Sequence, residues 1–354
     1  MTSIGTFLFA IALTVIFAAL VRRLPALAAS PVPDRWHRAV TPITGGIAIF
    51  GAFALSVVPA FTFGAIADRY NPVIAVAAGA FALGLIDDIW RIGVVPKLAG
   101  QVAVGLAAAH EGIRPEWVPA SVGIPVACLV IVASMNSLNL LDNMDGLAAG
   151  TATVAALGLA LVAGLVEHAG SSVVAAALAG AALGFLPFNY RRRRPASLFM
   201  GDSGSQLLGF TLGALALLTR PGGAGGVAAA VAAPLLILAV PALDTGLVLL
   251  VRLGERRPVW QGGRDHSSHR LVYRGLTERQ AVAVLLAIAA CCTGTAIMLV
   301  VFQNLLLTAI ASAVIAGALA TFGARLSLVR ETDAGAVAAI EAADPATRAF
   351  ASRP

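Results

Sequence analysis

Residues 3–23 read SIGTFLFAIALTVIFAALVRR, an apolar run over 3–21 closed by Arg22 and Arg23. A helix needs roughly 20 apolar residues to cross a bilayer, so this stretch is one membrane span. Basic residues gather on the cytoplasmic side of spans, which sets the N-terminus outside. No basic segment precedes the run, so it reads as a retained first span, although Ala26-Leu27-Ala28 resembles a cleavage site.

The pattern repeats along the chain. Further apolar runs lie near 43–61, 73–86, 97–110, 123–138, 147–166, 172–189, 203–219, 226–250, 280–301 and 304–323. The third and fourth runs are short, so the expectation is ten or eleven spans. The composition agrees: of 354 residues, 59% are hydrophobic and only 12% charged, against about 45–50% and about 25% in soluble domains. That excludes a soluble enzyme, a disordered tail protein and a nucleic-acid binder, despite the formal charge of +6. Alternation over about ten residues, the mark of barrel strands, is missing, and Ala and Gly suit close helix packing. The fold class is therefore all-α, a polytopic transmembrane helix bundle. One integral-membrane catalytic domain spans 1–324, with cytoplasmic loops at 22–42, 87–97, 136–146, 190–202 and 252–279, then a tail over 325–354. Cys128, Cys291 and Cys292 sit in apolar stretches and read as small buried hydrophobes.

With the N-terminus outside, all 24 Lys and Arg residues except Arg69, Arg114 and Arg220 fall on the cytoplasmic face. Eleven spans place the C-terminus there too. The protein is expected in the plasma membrane, crossing it many times.

Four polar clusters border the spans on that face. Asp87-Asp88 follow an apolar run; adjacent helical positions diverge by about 100°, so the two acids could serve different partners. Lys97, the chain's single lysine, stands one helical turn from Gln101. Asn136, Asn139, Asp142 and Asp145 form the second cluster, the last three in steps of three along one helical stripe. Acids beside apolar spans are costly unless they face a polar cavity. The third, Phe199-Met200-Gly201-Asp202-Ser203-Gly204-Ser205, follows Arg191–Arg194. A Gly/Ser turn opening a helix offers free backbone N–H groups to an anion, while Asp202 could bind a cation bridging phosphates or simply cap the helix. In the fourth, Arg264-Asp265-His266-Ser267-Ser268-His269-Arg270, no pattern completes a zinc site; phosphate binding fits the basic surroundings better than zinc, with a solvated basic loop as the alternative. Acids at span ends, rather than at mid-bilayer, weigh against the runner-up class, a secondary transporter.

Together the clusters resemble the polyprenyl-phosphate N-acetylhexosamine-1-phosphate transferases, which include phospho-MurNAc-pentapeptide translocase. The likeness runs in order through Asp34, His37 and Thr41-Pro42-Ile43-Thr44-Gly45-Gly46, then Asp87-Asp88 with Lys97 and Gln101. It continues through Asn139-x-x-Asp142-x-x-Asp145-Gly146, Pro195-Ala196 with Phe199–Ser205, and Pro241 with Asp244. The family's His-x-His-His reads here as His266-Ser267-Ser268-His269, and Asn189 lies six residues before Pro195 rather than three. The chain looks closer to the GlcNAc-1-phosphate branch than to the translocase.

The resemblance implies attack of a polyprenyl phosphate on the β-phosphorus of a UDP-N-acetylhexosamine, with release of UMP. It implies Mg²⁺ (Mn²⁺ as a substitute) held by Asp202, Asp88 and Asp142, with Asp87 activating the lipid phosphate or sharing the metal. Asp87, Asp88 and Asp202 would be catalytic. Asn139, Asp142, Asp145, Asn189 and Phe199 would bind the nucleotide, and His266, His269, Arg270 and Lys97 the sugar diphosphate. Thr41 and His37 would join Asp87 at the lipid phosphate. A homodimer stays open.

Overall fold

The computed structural model describes residues 2–23, 28–29, 41–62, 70–166, 169–191, 195–219 and 226–330. His37, Asp34, Arg192–Arg194 and the tail beyond Arg330 lie outside them. The chain runs α1 (Ser3–Val21), β1 (Ala28–Ala29), β2 (Thr41–Pro42), α2 (Gly45–Thr62), α3 (Asn71–Trp90), α4 (Val94–His110) and α5 (Ala120–Leu141). It continues with α6 (Leu147–Leu165), α7 (Ala169–Asn189), α8 (Gly201–Leu217), α9 (Gly226–Ile237) and α10 (Ala239–Gly254). Last come α11 (Ser267–Tyr273), α12 (Glu278–Phe302) and α13 (Leu305–Ser327). The two-residue strands pair antiparallel, with Ala28 opposite Pro42.

Every apolar run became helix, so the all-α bundle stands. Among the described residues eight helices are long and apolar enough to cross a membrane, or nine if α9 and α10, bent by 66°, make one span. α4 and α8, at 17 residues each, fall short of that length, so ten or eleven counts them as well. The bend has a local cause. Pro241 has no N–H for the carbonyl of Ile237, and its ring crowds that carbonyl, so α9 stops there and α10 begins anew.

The core lies where small side chains let helices close up. α7 packs between α1 and α6, and α8 lies against α3 and α5. From Ser203 to Leu217 every residue of α8 is buried. A methyl group on Gly84 of α3 would sit 2.5 Å from Ser203 Cα, so only glycine lets α3 and the start of α8 meet. Helix termini are capped locally: Thr277 and Gln280 form a reciprocal capping box on α12, and the Asn304 side chain accepts from the Leu307 N–H on α13.

The loops are shorter than the sequence suggests. Asp87 and Asp88 lie inside the last turn of α3, not beyond it, and α5 carries Asn136 and Asn139 within its C-terminal turns. α11 is an unforeseen turn of helix inside the loop over 252–279. The C-terminal ends of α3 and α5 thus meet the N-terminal ends of α4 and α8 at one end of the bundle, and most of the polar residues collect there.

Candidate active site

α3 closes on Arg91 in the left-handed conformation (φ 49°), and α4 turns back with Lys97 facing the acids. Lys97 Nζ lies 2.9 Å from Asp87 Oδ2, bonds Asp202 Oδ2, and donates to Asn139 Oδ1 at 3.3 Å. Asn139 Nδ2 in turn donates to Asp202 Oδ1 at 2.9 Å and to Ser205 Oγ at 3.0 Å. Four sequence-expected residues from four helices therefore form one contact group. Its three charged side chains keep 12–26% exposure, open to one end of the bundle.

Asp88 takes a different position from its neighbour. Its carboxylate accepts the backbone N–H groups of Asp202 (2.7 Å) and Ser203 (2.9 Å). These are among the donors a helix leaves unsatisfied at its first turn, and a negative charge there is favourable. This corrects the expectation of free N–H groups at the Gly/Ser turn: the anion at the start of α8 is the protein's own carboxylate. Gly201 makes the approach possible, with φ at +69° and Asp88 Oδ2 only 2.6 Å from where a Cβ would stand.

One turn deeper, the same helices place a layer of amides. Gln101 Nε2 donates to Gln206 Oε1 at 3.0 Å, and Asn136 Nδ2 donates to Gln101 Oε1 at 2.7 Å. This layer pairs polar groups that would otherwise be stranded between apolar helices, and leaves the buried Gln206 Nε2 unpaired.

The segment holding Phe199 lies along the first motif. Phe199 N–H donates to Pro42 O at 2.8 Å, and the N–H groups of Gly45 and Gly46 donate to Phe199 O and Met200 O at 2.9 and 2.8 Å. That brings Thr41, which is buried, alongside the half-buried Phe199. Asn189 clamps two turns together, accepting from Gly146 N–H at 2.6 Å and donating to Leu198 O at 3.2 Å. Asp145 accepts from Ala196 N–H at 3.3 Å, and burial pushes its carboxyl up to about 6. Asp142 caps the C-terminus of α5.

The histidine loop is a buried network, not a solvated strap. His266 Nδ1 lies 2.8 Å from Asp244 Oδ2, and Ser267 donates its N–H (2.7 Å) and hydroxyl (2.6 Å) to Asp244 Oδ1. Arg252 grips both oxygens of Asp265 at 2.9 and 2.8 Å. Burial alone would raise the Asp265 carboxyl, but Arg252 outweighs it and holds it at about 2. The His269 ring stands edge-on to His266 with centroids 5.4 Å apart. Burial, with His266 beside it, pushes His269 down to about 3, so it is neutral at neutral pH. Ser268 donates to Asn143 Oδ1 at 2.6 Å, tying this loop to the end of α5, one turn beyond Asn139. Arg270, expected on the sugar diphosphate, has another task. Its Nε donates to Asp265 O, and its Nη1 to the carbonyls of Leu326, Ser327 and Val329 at the end of α13.

Sequence reading gave no role to Asn143, Arg252 or Asp265, and noted Asp244 without its partner. One signal was available: Asp244 and Arg252 lie eight residues, about two turns, apart on a helix otherwise apolar, and such charges mark function by default.

The donor set suits a divalent cation. Asp87 and Asp202 already converge on one ammonium with hard oxygen atoms. Among the described residues no group of three or more His, Cys, Asp or Glu could enclose a metal alone. Mg²⁺ typically takes one or two carboxylates and completes its shell with phosphates and water.

An all-helical, multi-pass membrane protein thus gathers carboxylates, a lysine and histidines at one end of its bundle. The sequence profile described as glycosyl transferase family 4 matches residues 70–220. Decaprenyl-phosphate N-acetylglucosaminephosphotransferase of Mycolicibacterium smegmatis is 34% identical over 285 residues, which cover 70% of this chain and 69% of that protein. A probable undecaprenyl-phosphate N-acetylglucosaminyl 1-phosphate transferase of Bacillus subtilis is 28% identical over 271 residues, 72% of each chain. A phospho-N-acetylmuramoyl-pentapeptide-transferase of Nostoc is 36% identical, but over only 52% of this chain and 54% of its own. The chain belongs to glycosyl transferase family 4, and its similarity extends further along the N-acetylglucosamine-1-phosphate members than along the pentapeptide transferases.

Proposed function

We propose that this protein transfers N-acetylglucosamine 1-phosphate from UDP-GlcNAc to decaprenyl or undecaprenyl phosphate, releasing UMP. The reaction would take place at the cytoplasmic face of the plasma membrane and begin a lipid-linked glycan of the cell envelope. The observation that carries this reading is the charge of the cluster: Asp87 and Asp202 share a single ammonium, Lys97, and a third carboxylate, Asp88, binds the backbone at Asp202. A site so rich in carboxylate would repel two phosphate-bearing substrates unless a cation came with them. Asp87 and Asp202 would hold Mg²⁺, or Mn²⁺ in its place. Asp88, expected as a ligand, instead holds the start of α8 and so fixes Asp202, and Asp142, also expected as one, stands at the end of α5. Bound by Asp87 and Asp202, the ion offsets the charge of donor and acceptor.

The second pKa of a phosphate monoester is about 6, so the lipid phosphate is largely ionised at neutral pH and no strong base is required. One of its oxygens attacks the β-phosphorus, the bond from that phosphorus to the α-phosphate oxygen breaks, and UMP leaves with the electron pair. Positioning and charge neutralisation then supply most of the rate. Lys97 neutralises charge near the diphosphate, and Asn139 holds Asp202. Phe199 stacks on the uracil, beside Asp142, Asp145 and Asn189. His266 and neutral His269 meet the sugar diphosphate, while Thr41, and by the family resemblance His37, would bind the lipid phosphate.

The test is UMP release by purified protein given a panel of UDP-sugars with and without polyprenyl phosphate. UMP should appear with UDP-GlcNAc only when the lipid phosphate is present. UMP from UDP-MurNAc-pentapeptide alone among the donors would move the chain to the other branch, and no UMP from any donor would overturn the reading.

A further inference from the structure

Asp244 is fully buried in the apolar helix α10, just past the break that Pro241 makes. Both its oxygens are in use. Oδ2 faces His266 Nδ1 at 2.8 Å, and Oδ1 accepts from the backbone and hydroxyl of Ser267 at 2.7 and 2.6 Å. Two turns along the same helix, buried Arg252 takes both oxygens of Asp265, the residue before His266, and also donates to Val259 O at 2.7 Å. Neighbouring loop residues are thus held by opposite charges on one helix: Asp265 by a cation and His266 by an anion. The alternation admits one register, since a shift by one residue would bring Asp265 against Asp244.

We infer that Asp244 is a positioning residue for the transfer, acting through His266. An ionised carboxylate has no proton to give, so the hydrogen in this bond sits on His266 Nδ1. That fixes the tautomer and leaves Nε2 as the ring nitrogen that meets a substrate oxygen. The Arg252–Asp265 pair holds the loop in place so that the imidazole cannot swing away. A carboxylate–imidazole pair of this kind sets ring orientation and stabilises the protonated ring should it form. The inference rests on the reading above that the histidine loop meets the sugar diphosphate.

Two measurements test it. In detergent-solubilised protein labelled with ¹⁵N-histidine, His266, assigned by its loss in His266→Gln, should carry its proton on Nδ1. In Asp244→Asn, where an amide N–H can face the ring, that proton should move to Nε2. A wild-type His266 bare at Nδ1 overturns the inference whatever the enzyme's activity, and holds even if Asp244→Asn fails to fold. The second is a double-mutant cycle with UDP-GlcNAc and polyprenyl phosphate. Asp244→Asn should lower kcat at least tenfold with KM changed less than threefold, and adding it to His266→Gln should cost less than threefold more. Losses that multiply would mean Asp244 only supports the fold. A wild type inactive on every donor would defeat the functional reading and leave the tautomer result standing.

Discussion

The acid cluster and the histidine loop are built from the same kinds of residue and balance their charges in opposite ways. Around Lys97 two carboxylates share one ammonium with a third, Asp88, held on the backbone beside them, and the group stays partly open to one end of the bundle. Around Arg252 the charges alternate, Asp244 with His266 and Asp265 with Arg252 and Arg257, and the inner members are sealed. A region that must hold shape neutralises itself. A region that must receive a cation with its anionic substrates is left short of positive charge. In this account the first cluster works with the reacting groups and the second presents them.

The sharpest way to break that contrast is to remove charge from each side. Asp202→Asn should cut kcat by about 10²–10³, the scale of losing one preorganised electrostatic contact, while the protein inserts and unfolds as wild type does. A mutant that keeps its rate at limiting Mg²⁺ would remove Asp202 from the site. Arg252→Leu should act on stability instead. Leaving buried Asp265 with only the more exposed Arg257 costs up to about 3–5 kcal/mol, read as a lower Tm, and Asp265→Leu added to it should recover much of that loss. Independent, additive losses would mean the pair is not coupled. Gly201→Ala should cost roughly 1–2 kcal/mol for its left-handed backbone, and more as the methyl pushes on Asp88. It should lower both Tm and activity, because Asp88 joins fold and site.

The smallest effects lie in pH. His269 ordinarily titrates at 6.5 and is held at about 3 in the fold. Between those values the unfolded chain binds a proton that the folded one refuses, so stability falls as pH drops. Asp145 has the opposite sign: raised from 3.8 to about 6, it binds its proton in the fold first, and its contribution grows as pH falls through 6. The stabilising share of Asp265, held at about 2, is lost only below 3.8. His269→Gln should therefore flatten the decline of Tm between pH 6.5 and 4, and Asp145→Asn should steepen it. Identical slopes in all three proteins would contradict both assignments.

How far the sequence could be read follows from the range of the interactions. Apolar run length is local, and it yielded every membrane helix, including both arms of the bent pair. Asp202 was legible because a Gly/Ser turn opening a helix is a local pattern. Asp88 was singled out as well, but its partners were not legible, since what occupies it is the backbone of Asp202 and Ser203, 114 and 115 residues away. Asp87 and Asp88 looked like a loop because two acids end an apolar run. The helix continues through them because Lys97 and the start of α8 satisfy them from outside. Arg270 beside His269 reads as a phosphate ligand, yet carbonyls of α13 more than fifty residues later take its donors. The loop around His266 and His269 depends on Asp244 and Arg252, which no local pattern connects to it. His37 lies outside the described residues, and its role rests on the family resemblance.

The most direct measurement of the central claim is Mn²⁺ binding followed by electron paramagnetic resonance on the detergent-solubilised protein, with UDP-GlcNAc present. The account predicts a saturable Mn²⁺ signal displaced by Mg²⁺, weakened at least tenfold in Asp87→Asn and in Asp202→Asn, and unchanged in Asp244→Asn. Binding that survives both Asp87→Asn and Asp202→Asn, or that is lost in Asp244→Asn, would contradict the division between a cluster that receives the cation and a self-neutralised loop that positions its histidines without holding the ion.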